Sequence, residues 1–146
     1  MRRPARLMAP RRYLCHGDLG DIVMVDVPVR LVTLENQREH WATKNKRARL
    51  HRAMTMAQLG RFAMLRPDDG GYVITLTRVA PRKLDPGNHE ASFKHVQDAV
   101  ASWLGIDDGS PLLEWRYAYE KAPAYGVRIR IAANWRMVTY SKVARR

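Results

Sequence analysis

Residues 72–105 read YVITLTRVAPRKLDPGNHEASFKHVQDAVASWLG, and this stretch decides the fold class. Tyr72-Val73-Ile74-Thr75-Leu76-Thr77-Arg78-Val79 is dense in β-branched and apolar residues and reads as a strand. The run Ala80-Pro81-Arg82-Lys83-Leu84-Asp85-Pro86-Gly87 ends it, because proline and glycine interrupt regular structure. Asn88 can then cap a helix reaching about Leu104, with Phe93, Val96, Val100, Trp103 and Leu104 on one apolar stripe and Gly105 as its stop. Downstream, Asp107-Asp108-Gly109-Ser110-Pro111 makes a turn. Two alternating segments follow, Leu113 to Glu120 and Val127 to Ile131, joined by Ala122-Pro123-Ala124-Tyr125-Gly126.

Working upstream, Pro67-Asp68-Asp69-Gly70-Gly71 is a turn. From Asn36 to about Leu65 the chain lacks proline, and Trp41, Ala48, Ala53, Met54, Ala57 and Phe62 recur at helical intervals, which predicts a long helix with a break at Gly60. Ile22 to Val32 reads as one strand near a sheet edge, with Pro28 marking the edge or a bulge. The expected order is βαβαββ: a small α/β domain with a mixed sheet and two helices over residues 21–134. A basic flexible tail, 1–20, precedes it, and a second basic tail, 135–146, follows.

The 146 residues suit one core, and no internal repeat is visible. No run approaches the roughly 20 apolar residues of a membrane span, and no apolar stretch follows the basic start as a secretory signal requires. A single cysteine, Cys15, excludes an internal disulfide and a cysteine-rich zinc site, so a cytoplasmic setting is expected. His16, His40, His51, His89 and His95 show no zinc-ligand spacing. The net charge of +12 points to an anionic partner. Much of it sits in the tails, at Arg2, Arg3, Arg6, Arg11 and Arg12 and at Arg136, Lys142, Arg145 and Arg146. A second concentration lies on the long helix, where Arg38, Lys44, Lys46, Arg47, Arg49, Arg52 and Arg61 accompany Trp41. That helix is either a phosphate-binding face or a solvated surface.

Chemistry concentrates around the second helix. Asp85 precedes it, Glu90, Lys94 and Asp98 lie on its flank, and Asp107-Asp108 follow it. Carboxylates suit hard magnesium or manganese ions, which take oxygen ligands, activate water and stabilise a leaving phosphate oxygen; Arg82 and Lys83 can hold phosphates nearby. The bland reading stands beside this one: Asp107-Asp108-Gly109-Ser110 as a capped turn, and Lys94 with Asp98 as an exposed i,i+4 pair. A helix of about 17 residues is roughly 25 Å long, so its two ends meet only if the helix breaks or a second copy contributes.

On these residues the chain resembles the RusA family of Holliday junction resolvases, particularly the prophage versions. That family shows Asp-x-Asp-Asn after a strand, a helix with a lysine and an aspartate four apart, and an Asp-Asp pair in the next turn. Here stand Asp85-Pro86-Gly87-Asn88, then Lys94 and Asp98, then Leu104-Gly105-Ile106-Asp107-Asp108-Gly109. The resemblance covers about residues 72–131 and, more loosely, the helix beginning Glu35-Asn36-Gln37-Arg38-Glu39-His40-Trp41. It implies a homodimeric, magnesium- or manganese-dependent endonuclease that cuts four-way DNA junctions symmetrically in recombination and repair. Asp85, Asp107 and Asp108 would be its catalytic and metal-binding acids, Lys94 its site lysine, and Asn88, Arg82, Lys83, Arg38, Lys44, Lys46 and Arg47 its DNA contacts. The second acid of the motif falls on Gly87, which binds no metal; Glu90, one helical turn along, is one candidate substitute, and a register anchored on Lys94 instead pairs Asn88 and Glu90 with the two family acids. A branched-DNA-binding protein that has lost cleavage, and a basic accessory protein for RNA or phage assembly, are the alternatives.

Overall fold

Five strands and three helices follow in the order β1 (Arg11–Gly17), β2 (Gly20–Val27), α1 (Trp41–Leu59), β3 (Gly71–Ala80), α2 (Pro86–Ser92), α3 (Lys94–Leu104), β4 (Leu113–Lys121) and β5 (Gly126–Asn134). The computed structural model describes residues 4–17, 20–32, 40–62 and 71–134. The strands form one mixed sheet in the order β1-β2-β5-β3-β4. All neighbours are antiparallel except β3 and β4, which run parallel with Tyr72 opposite Leu113 and Ala80 opposite Lys121. A parallel pair requires a crossover, and α2 and α3 supply it.

Alternation sorts the strands into two faces. Val23, Val25 and Val27 of β2, Val127, Ile129 and Ile131 of β5, and Tyr72, Ile74 and Leu76 of β3 are buried in one core with Phe93, Val96, Val100, Trp103 and Leu104. The stripe read from the second helix is therefore the inner face of the crossover. Phe93, fully buried, packs its ring against Tyr117 at 5.7 Å and His89 at 5.1 Å. Outside this core layer, α1 lies against α3 and β2.

Four expectations need correction. Arg11–Gly17, assigned to a flexible tail, forms β1, because it pairs along its length with β2. That pairing also moves the 22–32 segment away from the edge: β2 lies between β1 and β5, and the ladder ends at Val27, since Pro28 has no N–H to donate. The second helix is two helices, giving three in all. At Phe93 the backbone N–H bonds to Glu90 O at 3.2 Å, a tightened turn, and the Ser92 hydroxyl is tied to His89 O at 2.7 Å. The stripe of α1 is also different. Its buried residues are Ala48, His51, Thr55 and Leu59, whereas Trp41 is 69% exposed and Ala53 and Ala57 face outward. Residues 36–39, 63–65 and 67–70, and the tail 135–146, lie outside the described residues.

Candidate acidic site and basic surface

The parallel crossover fixes where the acids stand. Asp85 caps the start of α2, just beyond the end of β3, with its backbone carbonyl accepting from His89 N at 2.8 Å. Asp107 and Asp108 follow α3 and lead into β4, whose first residue lies beside the start of β3. One ten-residue strand, roughly 30 Å at about 3.3 Å per residue, thus separates the two levels of the sheet. Asp85 has one side-chain contact, a long one of 3.5 Å from Asn88 Nδ2. The Asn88 Oδ1 is buried without a hydrogen-bond partner. Among the described residues, no three of His, Cys, Asp and Glu gather as a metal-holding group.

Tyr117 lies on β4 against the crossover helices. The Tyr117 hydroxyl donates to Gln97 Oε1 at 2.9 Å. Burial raises its pKa, and the charges of Glu90 on α2 and Asp108 on the later loop raise it further. Asp108 is fixed through its carbonyl, which accepts from Trp115 Nε1 at 2.9 Å, and Asp107 Oδ1 accepts from Gly109 N at 3.1 Å. The two carboxyls also share a hydrogen bond. With the Gly109 amide and then this bond, Asp107 is held below the usual carboxylate range, while the bond to Asp107 pushes Asp108 up. Adjacent carboxylates are donors of the kind that a hard divalent cation takes. Gly87, where the family motif has an acid, has open space around its Cα.

Other sequence-selected residues take varied positions. Lys94, exposed at the start of α3, does not hold Asp98, which pairs instead with Arg52 of α1 at 3.4 Å and ties the two helices together. Lys44 and Lys46 are exposed on α1, and Arg47 is half-buried. Lys46 and Arg47 line a cavity of about 550 Å³ with Leu7, Arg30, Leu50 and Met54. Arg82 and Lys83 are exposed, Lys83 above the Tyr119 ring at 5.6 Å. Arg38 lies outside the described residues.

Sequence reasoning passed over two features. One is Arg78, whose signal was a charge on the inward row of β3. The other is the His51 and His95 pair, 6.4 Å apart between α1 and α3. His51 is buried with Nδ1 unpartnered, and burial, then the charges of His95 and Arg47, lower its pKa to about 4. His95 is lowered too, by burial and by Arg52, Lys94 and Arg47, against the opposing effect of Asp98. A folded pKa below the unfolded value of about 6.5 leaves full stability above that pH and removes it as pH falls toward 4. Chemical denaturation is therefore expected to lose roughly 2–3 kcal/mol between pH 6.5 and 4 through His51, because one pKa unit is worth about 1.4 kcal/mol. His51→Phe should flatten that slope, and an unchanged slope would show that this site does not drive it.

The chain was compared with protein-family models, with curated proteins and with solved structures, and it matches none of them.

Proposed function

We propose that this chain is a RusA-like endonuclease that acts on branched DNA with magnesium or manganese. The observation that carries the reading is the adjacent pair of exposed carboxyls in the turn after α3, where Asp107 Oδ1 accepts from Gly109 N and the Asp108 carbonyl accepts from Trp115 Nε1. Asp107 and Asp108 are the residues that would hold the ion, which when bound supplies an activated water and stabilises the leaving oxygen. Glu90 is the acid proposed for the role left empty at Gly87. Asp85 joins them only through a second copy, which is the reason a homodimer belongs to the proposal. The exposed cations of α1, with the exposed Trp41 at its start, provide a surface for DNA arms.

A second reading, a junction-binding protein that does not cut, is favoured by Gly87 and by the lack of a third acid beside Asp107 and Asp108 among the described residues. Both readings require branch selectivity, since two basic faces related by dimer symmetry grip arms by shape and phosphate position. At about 0.15 M salt, a labelled four-way junction is expected to bind at least about tenfold more tightly than a duplex of the same arm sequence, a modest selectivity of about 1.4 kcal/mol. Equal affinity would remove both readings and leave an RNA or assembly partner as the better account.

A further inference from the structure

Strand β3 places a charge where its alternation calls for an apolar side chain. Tyr72, Ile74 and Leu76 face the helices, and Arg78 continues their row with only 6% of its surface exposed. Its Nη1 donates to Arg82 O at 2.6 Å, while its Nε is buried without a hydrogen-bond partner. A guanidinium cannot shed its proton to escape burial, so it ordinarily acquires an anion. Among the described residues, no carboxylate pairs with Arg78; the charged and titratable groups around it are Tyr119, Tyr125, Arg30 and His89. Arg30 lies over the Tyr125 ring at 4.5 Å, and Lys83 over the Tyr119 ring at 5.6 Å. Each of these two rings thus carries a cation, and among the described residues no ion pair joins Arg78, Arg30 or Lys83 to an acid.

We propose that Arg78, Arg30 and Lys83 form a seat for one backbone phosphate of a bound nucleic acid. The proposal rests on the branched-DNA reading for its occupant. The guanidinium offers its planar edge to phosphate oxygens, and Arg30 and Lys83, each held over a tyrosine ring, are the further cations that would complete the seat. The seat adjoins the Arg82-to-Asp85 loop, so a phosphate held there sets the strand beside the start of α2. Because it reads only phosphate, the seat positions DNA without selecting its sequence.

The test uses the full chain with Arg30→Ala, at an exposed position, and Arg78→Met. In anion-free buffer Arg78→Met should melt above the natural protein, since an uncompensated charge has been removed; a lower melting temperature would reveal a protein partner and count against the seat. Inorganic phosphate should raise the melting temperature of the natural protein and neither variant. Junction and duplex affinities measured against salt should each lose about one unit of the log–log slope in either variant. Slopes unchanged in both variants overturn the proposal. Slope loss in a protein that binds duplex and junction equally keeps the seat while the branched-DNA reading falls. Phosphate stabilisation without any DNA binding overturns the nucleic-acid occupant and leaves a site for free phosphate.

Discussion

Replacing Arg128 by methionine is expected to lower the unfolding free energy by about 3–5 kcal/mol. Asp26 and Arg128 stand directly opposite each other on β2 and β5, with Arg128 Nε bonded to Asp26 Oδ1 at 2.9 Å. Only 2% of Asp26 is exposed. Arg128 also holds Glu120 on β4, so one guanidinium links three strands across the face away from the helices. Without it, the Asp26 carboxylate loses its hydrogen-bonded cation and keeps only the charge of Arg11, opposite it on β1, so most of its desolvation cost falls on the folded state. The double variant Asp26→Leu with Arg128→Met is expected to recover most of the loss, because an apolar pair can replace a buried ion pair. Guanidinium denaturation of the three proteins checks this, and a single variant as stable as the natural chain would mean that Asp26 reaches water.

The largest functional effect is expected from Asp108→Asn, which should cut the rate of junction incision by at least about 100-fold, since loss of a metal ligand exceeds the usual effect of disturbing its supporting shell. Junction affinity and stability should survive. The side chain is exposed, and an amide has nearly the size and shape of the carboxyl it replaces. Glu90→Gln is expected to behave alike if Glu90 stands in for the acid missing at Gly87. Single-turnover incision with saturating protein separates the loss of chemistry from any loss of binding. Incision by Asp108→Asn at the natural rate would move the working site elsewhere.

Much of the fold was legible because the signals were local. The stripe Phe93, Val96, Val100, Trp103 and Leu104 contains only buried residues, and the strands of the 72–131 region fall where alternation put them. What escaped depended on distant partners. Arg11–Gly17 carries charge enough to look like a tail, and it is a strand because β2 offers it an open edge. The inner face of α1 includes His51 and Thr55, polar residues that a hydrophobic pattern skips, while exposed Trp41 was counted as core. The Asp107 and Asp108 pair was visible as a motif; its position relative to Asp85 was not, because the direction of β4 relative to β3 is set by the crossover as a whole. Arg78 was legible as an oddity of alternation, and the burial of its Nε without a partner among the described residues needed the packed structure.

The proposed reading is that this chain cuts branched DNA at Asp107 and Asp108. Its most direct test maps the products of a strand-labelled four-way junction incubated with the natural protein and magnesium or manganese, with a matching duplex as control. Paired nicks at symmetric positions in opposing strands, absent from the duplex and without metal, are the predicted result. A junction that stays intact while fully bound would contradict the endonuclease and leave the chain as a junction-binding protein.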